Sequence, residues 1–302
     1  MSGFVLADSD SSGAIVSGIP LLRPPKLPGQ ARRLVSLPFT DALDPLVDPS
    51  GALAFVELLG EARQELGMAR LELRGELAGA DPGPPAAVIH TLPIEADAES
   101  VAKGFANEKR RNVRVAIRKG LEVRHAENER DLTETFFELH VDTRRRLGVP
   151  TQPKRFFHLL WQRIIEPGSG FVLMVREGGT PVAGAVFLTG NGRVVYKYSA
   201  SDFSRRNLKP NDLLIWSAIE HACNTGFTTF DFGRTDLHAE GLRTFKSSWG
   251  ATESPLVYST IGGNLPAADD GSHTSGMMKQ VLQRSPAWVT RTAGELLYRY
   301  AA

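Results

Sequence analysis

Cysteine is almost absent from this chain: Cys223 is the single one among 302 residues. One thiol builds neither a disulfide framework nor a cysteine-rich metal site, so a reducing compartment is expected and Cys223 reads as a packing thiol. Long apolar runs are missing too. No stretch approaches the roughly 20 apolar residues of a membrane helix, and the C-terminal segment from Pro286 is broken by Arg291, Glu295 and Arg299. Charge imbalance is the third absence. Thirty-five Lys and Arg stand against 34 Asp and Glu, a net +1, which removes any global pull toward DNA or an anionic surface and leaves only local patches. The seven histidines are scattered, without HExxH or comparable spacing, so no metal site is expected. GxSxG and P-loop motifs are lacking as well. The N-terminus carries no basic region followed by an apolar core, and a cytoplasmic location is expected.

What remains is an ordinary globular composition, 42% hydrophobic and 23% charged, in a chain long enough for two domains. In the first half the pattern predicts strands over 13–22, 33–37, 68–73 and 86–91. It predicts helices over 50–66 and 98–120, the second strongly basic. After a short strand at 121–124, helices follow over 132–147 and 153–165. The second half is sharper. Strands over 170–176, 181–189 and 193–199 are joined by Gly178-Gly179 and Asn191-Gly192, both hairpin signals. A helix over 211–225, capped by Asn211, leads to a strand over 227–233, and a last strand spans 256–261. A polar linker over 262–276 precedes a terminal helix with Val289, Ala293, Leu296, Leu297 and Tyr300 on its packed side.

Three antiparallel strands, a helix, and a strand returning beside them form the core layout of a GNAT-type acyltransferase. The expected fold is therefore α+β: tandem GNAT-like domains with mixed, mostly antiparallel sheets flanked by helices. The domains are expected over 1–130 and 131–265, with the linker and a body-packed helix over 266–302. The strand ends at Tyr198 and Asp231 splay, and charged residues at such ends belong more often to a site than to a core.

Several words in this order resemble the FemAB-like family of peptidoglycan-bridge aminoacyltransferases and BioF2-like acyltransferases. They are Tyr196-Lys197-Tyr198-Ser199-Ala200-Ser201, Lys209-Pro210, Phe230-Asp231-Phe232-Gly233-Arg234, Phe245-Lys246 and Trp249-Gly250-Ala251. Leu34-Val35-Ser36-Leu37-Pro38-Phe39 and the Arg111–Gly120 helix match in the first half. The resemblance implies a further strand and helix before the first strand read here, so a shortened first domain is expected. It also implies amide formation on an amine of a cell-envelope precursor. The donor is aminoacyl-tRNA or acyl-CoA, taken as a co-substrate, with no permanently bound cofactor. The alternatives are an acyl-CoA-dependent N-acyltransferase and a non-catalytic binding or scaffold protein. Any tRNA contact would be through its acceptor end, since no RNA-binding module is present, and membrane contact at most peripheral.

In such a reaction a fixed cation beside the developing oxyanion supplies several kcal/mol in a dry cleft. The resemblance assigns that part to Lys246, in the Phe245-Lys246 word. Asp231 either positions the acceptor amine or holds its loop through an ion pair with Arg234 or Lys246. Tyr198 and Lys197 point to opposite faces, and Tyr198 is taken as the catalytic candidate. Arg234 suits a phosphate or carboxylate. Arg205 and Arg206 lie where GNAT enzymes place a glycine-rich phosphate cradle; Pro210 has no N–H to offer there. Arg111 and Arg114, on one face of the basic helix with Arg118, are expected to grip a phosphorylated acceptor or tRNA backbone.

Overall fold

The computed structural model describes residues 2–25, 30–38, 40–85, 87–263 and 276–298. Strands β1 (Ser2–Ser9), β2 (Ile15–Arg23) and β3 (Arg33–Val35) precede helix α1 (Ala52–Glu65), which buries Ala52, Phe55 and Leu59. Next come β4 (Arg70–Leu73), the short β5 (Asp81–Pro82), β6 (Ala87–Pro93), α2 (Ala98–Lys103), α3 (Asn107–Arg118) and β7 (Leu121–His125). A π-turn over Asp131–Phe136 runs into α4 (Phe137–Leu147), and α5 (Lys154–Leu160) runs into another over Trp161–Ile165.

The meander follows as β8 (Gly170–Glu177), β9 (Thr180–Gly190) and β10 (Arg193–Ser201). Its turns work because both residues of each pair hold positive φ: Gly178 and Gly179 at 53° and 85°, Asn191 and Gly192 at 46° and 71°. That matches the twist of the flanking strands. Helix α6 (Pro210–Asn224) and β11 (Thr229–Thr235) complete a β–α–β crossover, and β11 pairs parallel to β10. The chain closes with α7 (Glu240–Ser247), β12 (Thr252–Leu256), β13 (Ser259–Ile261), α8 (Gly276–Arg284) and α9 (Ala287–Leu297).

These elements make two mostly antiparallel sheets flanked by helices, the expected α+β class. One sheet has the order β1-β2-β3-β4-β13-β5, the other β12-β6-β11-β10-β9-β8-β7. The sheets do not divide at residue 130. β6 is paired on both sides within the second sheet, with β11 and β12, and β7 pairs β8. The segment 256–261, read as one strand, is two, and β13 returns to the first sheet beside β4. Helix α6 starts at Pro210 with Lys209 as cap; Asn211 is not the cap but donates its amide to Ser201 Oγ at 3.3 Å. The terminal helix packs on the body as expected, with Val289 and Ala293 of the expected face half-buried. Thr290 and Gly294 are buried and Leu296 is exposed, while Tyr300 and residues 264–275 of the expected linker lie outside the described residues. Among the described residues no helix is long and apolar enough to cross a membrane.

Candidate active site

Strands β10 and β11 pair only between Arg193–Val195 and Thr229–Asp231. Beyond that point each carries an irregularity at the same level. In β10 the register against β9 slips between Tyr196 and Tyr198; in β11 the register against β6 slips between Asp231 and Arg234. Bulges bend strands and raise their local twist, and here they open a wedge.

Gly233 makes the β11 bulge. Its φ is +71° and its N–H donates to Asp231 Oδ1 at 2.7 Å. A Cβ there would stand 3.1 Å from Asp41 Oδ2. Gly233→Ala is therefore expected to lose about 1–3 kcal/mol, because strain and the carboxylate contact add. Denaturant midpoints check this, and a loss under about 0.5 kcal/mol contradicts the strained bulge.

Lys246 lies on α7 and is only 4% exposed. Its Nζ donates to Gly233 O at 2.8 Å and to Arg234 O at 3.0 Å. Two of its three N–H groups are thus held by main-chain carbonyls at the wedge, which leaves one. Burial pulls its pKa down to about 8, against the opposing pull of Asp41, Asp231 and Asp236. Helix α7 is pinned on both sides. Arg243 makes a bidentate pair with Glu253 of β12 at 2.8 and 2.7 Å, and Glu253 in turn lies 3.2 Å from the buried His90 Nε2. On the other side the Phe245 ring lies 4.1 Å from the buried Lys109 Nζ, which pairs with Asp212 at 2.9 Å.

Asp231 is buried, and burial raises its pKa. Its ion-pair partner is neither Arg234 nor Lys246 but Arg193, at 3.1 Å, because Arg193 enters β10 opposite Thr229 just where the strands still pair. With Gly233 N on one oxygen and Arg193 on the other, this carboxylate holds the bulge. The acid that faces the wedge is Asp41, from the loop after β3. Its Oδ2 lies 3.3 Å from Lys197 Nζ, and Tyr258 Oη donates to its main-chain oxygen at 2.9 Å.

The other expected residues disperse. Tyr198 does not join Lys246. The bulge at Lys197 turns it to the opposite side of β10 from Tyr196, where it packs edge-on to Phe156, Phe157 and His140; burial raises its pKa. Nearby, Arg144 is largely buried, gives its Nε–H to Pro150 O at 3.0 Å and has Tyr198 and Tyr298 as neighbours. Arg234 pairs with Asp236 at 2.9 Å. Arg205 pairs with Glu177 at 3.0 Å, and Arg206 stacks on Phe203 at 4.3 Å. Phe245 faces Lys109 rather than the wedge. Arg111 and Arg114 line a shallow groove with Ile117 and Arg118 on the outer side of α3.

Residues 107–247 match the family described as Acetyltransferase (GNAT) domain. The crystal structure of FemX superposes with a TM-score of 0.66 over 85% of this chain and 87% of that one, at 17% identity. A lipid II:glycine glycyltransferase of Staphylococcus saprophyticus is 33% identical over 85 residues, and its Staphylococcus aureus counterpart is 31% identical over the same length. Over this segment the chain is similar to acyltransferases of the GNAT type, the lipid II:glycine glycyltransferases among them. That match covers 26% of this chain and spans only 20% of the length of those relatives. A second structural likeness is the C-terminal domain of a putative lysylphosphatidylglycerol synthetase from Agrobacterium fabrum. Its TM-score is 0.61 at 14% identity, over 92% of this chain and 89% of that one. At such identities the two structures show the fold alone.

Proposed function

We propose that the chain joins an activated aminoacyl or acyl group to an amine of a cell-envelope precursor, with Lys246 stabilising the tetrahedral oxyanion. The observation that carries this is the buried Lys246 ammonium, held by two carbonyls at the wedge between β10 and β11. In the step, the amine nitrogen bonds to the carbonyl carbon and the carbonyl oxygen turns negative beside Lys246. The ester C–O or thioester C–S bond then breaks; the amine's proton is lost and the leaving oxygen or sulfur takes one up. A cation already in place needs no reorganisation as charge develops. Asp41, with a carboxylate 30% exposed, is the group placed to receive the acceptor's ammonium before it loses its proton. The names of the relatives, glycyltransferases of lipid II, support a peptidoglycan-type acceptor. Arg144, with the phenols of Tyr198 and Tyr298, suits an anionic group on that acceptor, and Arg234 a second one.

The donor reading favours aminoacyl-tRNA over acyl-CoA. A pyrophosphate cradle needs bare N–H groups, and the start of α6 has Pro210 in its first turn. Arg111 and Arg114, exposed on α3, suit the RNA backbone, and Arg205 and Arg206 its acceptor end. The GNAT match keeps acyl-CoA as the second reading. Incubation with labelled aminoacyl-tRNA and with acetyl-CoA, each with envelope precursors, tests the choice. Amide product from aminoacyl-tRNA alone is expected. Product from acetyl-CoA alone turns the reading to an N-acyltransferase, and none from either favours a binding or scaffold protein.

A further inference from the structure

The two terminal helices expose large apolar side chains while being firmly seated. On α9, Trp288 is 66% exposed and Leu296 62%; on α8, Val281 is 53% exposed. Trp288, Thr292 and Leu296 follow each other at four-residue spacing, one row along the helix. The opposite face carries Thr290 and Gly294 against the body, and a Cβ on Gly294 would fall 2.2 Å from Thr151 O. Glu295 accepts from Lys154 N at 3.1 Å, Gln283 donates to Arg146 O at 3.1 Å, and Tyr298 packs on Phe156 at 5.8 Å. A tryptophan left outside such a closely fitted helix is presented, not misplaced, and exposed apolar patches of this kind mark interaction surfaces.

The charges around the row choose the partner. Arg284 is exposed at the end of α8, and Arg291 is exposed on α9 although its guanidinium also lies 5.6 Å from the Phe137 ring. Lys279 is exposed but runs along Gly148, and the one carboxylate of the two helices, Glu295, is engaged at the start of α5. Two-fold pairing of this face would bring the same cations against one another. A bilayer surface with anionic headgroups satisfies both features, since tryptophan and leucine enter the headgroup boundary while lysine and arginine meet phosphate. We infer that the outer face of α8 and α9 is a peripheral docking surface for an anionic lipid bilayer, with Trp288 as its anchor. The inference stands apart from the acyl-transfer reading.

The test is co-sedimentation of the full chain with vesicles. One set holds equal parts phosphatidylcholine and phosphatidylglycerol, the other phosphatidylcholine alone. Binding to the anionic vesicles is expected, with a blue shift of tryptophan emission and a decline as salt rises. Trp288→Ser with Leu296→Ser should weaken partition at least tenfold, with an unchanged circular dichroism spectrum. Arg284→Gln with Arg291→Gln should weaken it less and flatten the salt dependence. Equal sedimentation of wild type and the Trp288 variant, indifference to phosphatidylglycerol, or a dimer that disappears in that variant would each overturn the inference.

Discussion

Replacing Lys246 by Met is expected to lower the transfer rate constant about 10²–10³-fold or more, the usual cost of removing one oxyanion donor, while leaving the fold in place. The stability side can be decided from magnitudes. Burial takes the Lys246 pKa from 10.5 to about 8, so keeping this ammonium charged at pH 7 costs the folded state on the order of 3 kcal/mol. Methionine removes that cost but strands the Gly233 and Arg234 carbonyls, at about 1–3 kcal/mol each. The opposing effects are of similar size, and the midpoint of unfolding should move little. A protein that loses turnover because it unfolds would behave differently in the same measurement.

The same displaced pKa sets a pH signature. The folded value lies below the unfolded one, so between about 8 and 10.5 the unfolded chain binds more protons. Stability attributable to this group therefore rises across that window. Transfer should do the opposite and fall as pH passes about 8, because the neutral amine no longer stabilises an oxyanion. Activity declining while stability holds separates loss of the cation from alkaline unfolding. A Lys246→Arg variant with residual turnover should lack the falling limb, since guanidinium stays charged. An alkaline limb retained in that variant, or turnover retained in Lys246→Met, removes Lys246 from the reaction.

The sequence made some of this legible and hid the rest, for physical reasons. The two hairpins, the crossover to β11 and the splay after Asp231 were readable because turn chemistry and periodicity are local. The placement of Lys246 at that splay followed from the order of motif words. Asp41 was not readable. It reaches the wedge only because β3 and β4 carry its loop to the second sheet, and no local pattern in Thr40-Asp41-Ala42 announces that contact. Tyr198 was misplaced for a different reason: strict alternation assigns faces in a regular strand, and the bulge at Lys197 shifts the count by one. Leu296 of the terminal helix was placed on the buried side because apolarity was taken to mark it, whereas Val289 and Ala293 are half-buried. Close approach to Thr151 instead selects Gly294 and Thr290, small enough to fit, and leaves Leu296 outside.

The second large effect is expected at Asp212, which touches no substrate in this reading. Its carboxylate accepts from Lys109 Nζ at 2.9 Å and from Asn112 Nδ2 at 3.2 Å, with the two ion-pair side chains 8% and 10% exposed. The ammonium also lies 4.1 Å from the Phe245 ring and 5.6 Å from that of Trp249. Asp212→Ala leaves a desolvated cation without its anion, a change that costs about 3–5 kcal/mol. An apolar replacement of both partners, Lys109→Met with Asp212→Leu, removes the stranded charge and should recover most of that loss. Denaturation of Asp212→Leu, Lys109→Met and the double variant measures the coupling directly. A single-variant loss below about 1 kcal/mol would mean that water reaches the pair. Activity discriminates further. Phe245 is the residue before Lys246, so the Lys109 cation supports α7 from beneath Lys246. The double variant, stable but with a methyl thioether under Phe245, should bind donor normally and show its deficit in kcat rather than KM, because what shifts is the aim of the ammonium.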